Sequence, residues 1–181
     1  MLHLTVPSVE GWDPKKEQFV DLKPEVKLQL EHSLVSLSKW ESKWCKPFLS
    51  KSEKTDEEIL DYIKCMTITQ NVDPDVYDRL TNENIKEINA YINAPMTATT
   101  INEDKSGKTN REIVTSEIIY HWMMELGIWP ECQKWHLNRL LMLIKVRNIK
   151  LSPPKKKSIA ERLTSNAALN AARRKKLNSK G

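Results

Sequence analysis

Glycine is scarce in this chain, with four in 181 residues. A loop that cradles phosphate needs glycines where its backbone approaches the ligand, so little room is left for one. Gly107-Lys108-Thr109 has the ending of such a loop. Asn102 stands where its first glycine belongs, and no apolar strand precedes it, so nucleotide binding is set aside. Cysteine is scarce too. Cys45, Cys65 and Cys132 are an odd number without paired spacing, which suits a reducing compartment better than a disulfide framework. No apolar run approaches the roughly 18 residues of a membrane-spanning helix. The opening MLHLTVPSVEGWD has neither a basic n-region nor an apolar h-region, so no signal peptide is expected.

The framing of a catalytic nucleophile is also missing. No Ser or Cys sits between glycines, and Asp56, Glu57 and Glu58 cluster where a helix begins, a placement the helix dipole explains. Cys132 and His136, four apart, would share a helix face, but zinc needs two more converging ligands. Cys65 and His121 are available without a metal-site spacing. We therefore assign no catalytic residue, no metal ligand and no cofactor, and expect a protein that is not an enzyme.

Charge is present in quantity and unevenly placed. Residues 1–138 carry 16 Lys and Arg against 23 Asp and Glu, a balance of −7. Residues 139–181 carry 13 against Glu161 alone, a balance of +12. The net charge of +5 thus describes neither part. Such a block reads as an interaction tail.

The apolar pattern predicts a mainly α chain with a small antiparallel sheet at its N-terminus and a flexible basic tail. The expected divisions are 1–32 for the sheet, 33–150 for the helical body and 151–181 for a disordered or extended-helical tail. Residues 2–9 and 17–22 alternate around Gly11-Trp12-Asp13-Pro14, which predicts a hairpin, with a third strand at 26–31. Pro7 confines its strand to an edge or a bulge. Ser33, Thr55 and Thr81 are expected N-caps, the last two with Glu58 and Asn84 at the box position. Leu34, Leu37, Trp40 and Trp44 form one stripe, and Pro47 ends that helix. A short turn of helix is expected after Asp73-Pro74, and MTATTI at 96–101 is a candidate strand.

Residues 115–147 read as a helical hairpin on which the rest packs. Gly127 fits the position after the first helix, and Pro130 the first turn of a second helix running on through Val146. Trp122, Trp129 and Trp135 fill a core on the first reading. On the second, Ile119, Trp122, Met123 and Trp129 line a surface for a partner protein or a homo-oligomer contact, because the first helix is apolar on more than one side. The double proline at 153–154 and three lysines end the pattern. Beyond them Arg162, Arg173, Arg174, Lys175 and Lys176 are candidate contacts for nucleic acid or an acidic protein. Residues 136–181 hold no aromatic side chain, which argues against single-strand recognition by stacking.

The strings LQLEHSLVSLSKWESKWCKPFL, APMTATTI, REIVTSEIIYHWMMELGIWPECQKWHLNRLLMLIKV and SNAALNAARRKKLNSKG span most of the chain. Together they resemble small morphogenesis proteins of tailed bacteriophages, specifically the tail assembly chaperones. The resemblance implies a non-enzymatic role in the host cytoplasm. Members bind the tape measure protein and keep it soluble while tail tube subunits assemble, and they are often made in a frameshift-extended form as well. A nucleic-acid-binding phage protein using the basic tail and a structural head–tail or capsid component remain the alternatives.

Overall fold

The computed structural model describes residues 1–13, 17–101, 113–152 and 159–178. Four strands come first: β1 (Leu2–Val6), β2 (Val9–Asp13), β3 (Gln18–Lys23) and β4 (Val26–Leu30). Seven α-helices follow among the described residues: α1 (Leu34–Trp44), α2 (Asp56–Met66), α3 (Asp75–Asp78), α4 (Asn82–Asn93), α5 (Ser116–Glu125), α6 (Leu137–Leu151) and α7 (Ile159–Leu177). A 3₁₀ turn, Pro130–Lys134, lies between α5 and α6. The chain is therefore mainly α with a small N-terminal antiparallel sheet. It divides into two compact units, Met1–Asn148 and Ile149–Gly181.

The strands pair differently from the expected hairpin. β1 pairs with β4, Leu2 opposite Leu30 through Val6 opposite Val26, while β2 pairs with β3 inside that loop. The two ladders are separate two-stranded ribbons, nested one within the other, with Pro7 and Pro24 in the gap between them. Neither proline has an N–H to give, so the ladder stops between Val6 and Val9. Arg79 spans the gap, its Nη1 donating to the carbonyls of Pro7 (3.2 Å) and Pro24 (3.3 Å). Lys23 pairs with Asp75 alongside. The β1–β4 ladder buries Leu4, Val6, Leu28 and Leu30 on one face, as period-two alternation requires. The β2–β3 ladder, here called the arm, leaves Trp12, Phe19 and Leu22 exposed.

Local cap chemistry starts the helices where the residues indicate. Ser33, Thr55 and Thr81 each accept from the backbone N–H three residues on, and Ser36, Glu58 and Asn84 reach back to complete the boxes. Gly127 takes φ +60° just past α5, while Ile128 N–H bonds the Met123 carbonyl at 2.8 Å, the reversal that glycine permits there. The MTATTI segment forms no strand at residues 96–101.

Two apolar compartments sit on either side of α1. Leu4, Leu28, Leu30, Tyr62, Ile63, Met66 and Ile88 gather around Trp40 in the first. Leu34 and Leu37 face the second, with Ile119, Met123, Leu137, Leu140 and Ile144. The stripe of Leu34, Leu37, Trp40 and Trp44 is thus split between two cores, and α1, not the segment 115–147, is the central element.

That segment is corrected in a second respect. No single helix runs from Pro130 through Val146. The 3₁₀ turn ends at Lys134, Trp135 and His136 are extended, and α6 starts at Leu137. Ser33 and His136 form a bridge here, and Leu137 N–H bonds the His32 carbonyl at 2.7 Å. Cys132 and His136 consequently share no helix face. Trp135 is only half-buried, with the Arg139 guanidinium 4.2 Å from its ring centroid.

The seam between the compartments holds two buried histidines. The His136 Nε2–H donates to the Tyr91 carbonyl (3.0 Å), and its Nδ1 accepts from Asn138 N–H (3.3 Å). That pattern fits the neutral ring, and a second proton on Nδ1 would break it. His32 lies edge-on to it at 5.1 Å and meets the Tyr62 hydroxyl through Nδ1 at 2.6 Å. Burial, reinforced by the neighbouring His136, pushes the His32 pKa down to about 4, and burial lowers His136 as well. Glu31, which accepts from the Tyr91 hydroxyl at 2.6 Å, is the nearby carboxylate.

A folded pKa below the unfolded value of 6.5 means the unfolded chain binds the proton first. The His32 contribution is complete above pH 6.5 and is lost as the pH falls toward 4. The full loss is about 3 kcal/mol below pH 4, of which about 2 kcal/mol falls between pH 7 and pH 4.5. Urea unfolding at pH 7 and pH 4.5 should show it, and His32→Asn should flatten the dependence. Equal pH slopes in the two proteins would refute the assignment.

Candidate protein-binding surfaces

The N-terminus of α5 is fixed from outside its own sequence. Its N-cap residue, Thr115, makes no side-chain cap bond. Buried Glu41, on α1, takes over: Oε2 accepts from Ser116 N–H (2.7 Å) and Oε1 from Phe48 N–H (2.8 Å). One carboxylate thereby fixes both α5 and the turn after Pro47. At the other end of α5, Arg147 donates to the Leu126 carbonyl through Nε (3.1 Å) and Nη2 (2.5 Å).

Beside α5 lies a groove of about 620 Å³. Leu49, Ile113, Val114, Trp122 and Leu141 line it, with Ser50 and Lys51 at the polar side. Ile113 is 60% exposed, and Trp122 is half-buried. The wall is mostly apolar and open, and a side chain entering it would meet carbon on several sides. Leu49 and Ile113 were not among the residues selected by pattern. Both belong to irregular segments, where periodicity carries no information.

The four candidate protein-binding residues separate. Ile119 and Met123 are buried, packed against Leu34, Leu37 and Leu140, so they hold α5 in place and present nothing to a partner. Trp122 faces the groove. Trp129, at 76% exposure, stands on the surface before the 3₁₀ turn. Met124, at 73%, is exposed as well.

Among the basic candidates, Arg173, Arg174, Lys175 and Lys176 are exposed on the last turns of α7. The side chain of Arg162 lies outside the described residues, as does the whole Gly107-Lys108-Thr109 segment. Within the tail, for which disordered and extended-helical states were both expected, Ile159–Leu177 form a 19-residue helix.

A second recess, about 390 Å³, is bordered by Ser33, Lys39, Cys65, Thr67 and Lys134. Burial pushes the Cys65 thiol up, and the Cys132 thiol likewise, away from the thiolate that nucleophilic chemistry needs. Among the described residues no group of three or more His, Cys, Asp or Glu is arranged to hold a metal ion. No helix among them is long and apolar enough to cross a membrane. No family model matches the chain, and neither a curated protein nor a solved structure matches it.

Proposed function

We propose that this chain is a non-enzymatic tail assembly chaperone of a tailed bacteriophage, working in the host cytoplasm by binding the tape measure protein. The observation that carries this reading is the open apolar groove beside α5, walled by Leu49, Ile113, Trp122 and Leu141. A groove of that kind suits the apolar stripe of a helical client, which inserts side chains at i, i+3 and i+4. The four sequence strings that resemble the chaperone family supply the client's identity.

Co-expression with the candidate tape measure protein tests the proposal. The client should stay soluble with the native chain. It should precipitate when the groove is altered by Ile113→Ser together with Trp122→Gln, with capture weakened about tenfold or more. A client equally soluble without this chain would end the proposal.

Exposed Arg173, Arg174, Lys175 and Lys176 favour a second reading, in which α7 meets phosphates. Salt separates the two. Nucleic-acid binding falls steeply between about 50 and 200 mM salt, whereas apolar capture stays nearly constant.

A further inference from the structure

The β2–β3 arm carries aromatic side chains that the rest of the described chain does not cover. Trp12 is 56% and Phe19 68% exposed, and they pair edge to face across the strands at 5.3 Å. Glu10 lies directly opposite Asp21 one step further along. By strand alternation these four residues share one face. Like charges placed directly opposite in an antiparallel pair destabilise it. Among the described residues neither carboxylate has a cationic partner, because Lys23 is engaged with Asp75 and Arg79 with the two proline carbonyls. An aromatic pair beside two carboxylates that have no cationic partner among the described residues is complementary to a cationic helix face containing an apolar residue. The rings can also take an Arg or Lys by cation–π contact.

Helix α7 has such a face. Leu169, Arg173 and Lys176 are spaced i, i+4 and i+7, so they lie along one side. Leu169 is 53% exposed. From Leu169 to Lys176 the helix rises about 10 Å. Glu10 to Trp12 spans about 7 Å of strand. The sizes match, and so do the charges.

We propose that the Glu10, Trp12, Phe19 and Asp21 face of the arm docks helix α7 of a second copy of this chain. Leu169 lies against the two rings, and Arg173 and Lys176 meet the two carboxylates. The contact joins different surfaces on the two copies, so it is heterologous and can propagate into a ring or an open chain.

Sedimentation velocity of the full chain over a range of concentrations tests this at low and moderate salt. The chain should self-associate at low salt and dissociate as salt screens the pairs. Glu10→Lys with Asp21→Lys should weaken association about tenfold, and so should Arg173→Glu with Lys176→Glu. Mixing the two charge-reversed proteins should restore association, now strictly between unlike copies. Trp12→Ser with Phe19→Ser should abolish it. All these positions are exposed, and unchanged thermal melts would show the fold intact. A monomer at every concentration would overturn the proposal. So would association indifferent to both reversals, or a mixture that stays apart.

Discussion

Glu41→Ala is expected to destabilise the protein by about 3–5 kcal/mol, read from urea midpoints at constant m-value. Glu41 is buried on α1, and its two oxygens accept from Ser116 N–H and Phe48 N–H. Removing it leaves the buried Ser116 N–H and the part-buried Phe48 N–H without their acceptor. A hydrogen bond to a charged group contributes about 1.5–3 kcal/mol, and there are two. The carboxylate also faces the positive end of α5, which Thr115 leaves without a side-chain cap. Glu41→Gln keeps the shape but turns an NH₂ toward one of the donors, so most of the loss should persist. Groove binding should weaken in both variants, because Trp122 rides on the helix that Glu41 fixes. A loss below about 1 kcal/mol would mean the two N–H groups find other acceptors.

Trp40→Ala is expected to cost about 3–5 kcal/mol. Trp40 is 1% exposed. It stacks with Trp44 at 6.1 Å, meets Phe48 edge-on at 5.0 Å, and donates its indole N–H to the Glu58 carbonyl at 2.8 Å. The truncation opens a large cavity and removes the indole donor from that carbonyl, which keeps its place in the α2 ladder. Trp40→Phe separates the two contributions, since it refills most of the volume without restoring the N–H. By contrast, half-buried Trp135 has Arg139 over its ring and should lose less on truncation. Calorimetry of the three variants gives the order directly, and a Trp135→Ala loss equal to that of Trp40→Ala would contradict it.

The helix starts were legible because capping is local. Ser33, Thr55 and Thr81 need only the residues three positions on to form their boxes, and those residues stand in the sequence. The strand pairing was not legible. Alternation at Leu2, Leu4 and Val6 tells which face is buried but not which strand lies opposite. Pro7 and Pro24 mark where pairing breaks only once it is known that both lie in the gap between the two ladders.

Continuous apolar character misled at 130–146. The break at Trp135 and His136 is set by Ser33 and Tyr91, each far away in sequence. The groove was half legible. Trp122 was selected, but Ile119 and Met123 beside it are covered by α1, whose position no periodicity in α5 reveals. Leu49 and Ile113 carry no pattern of their own. Glu41 reads as one more polar residue on a helix, and its role depends on Ser116, 75 positions later.

The sharing of α1 between two compartments bears on how the protein tolerates sequence drift. In a body with two separate cores, each can accumulate substitutions independently, and a loosened one leaves its neighbour standing. Here Leu34 and Leu37 serve one side while Trp40, three positions on, serves the other. A small rotation of this 11-residue helix that relieves crowding on one side drives side chains into the other. Compensating changes must therefore arise in pairs across the helix, and α1 is the stretch where drift has the least freedom.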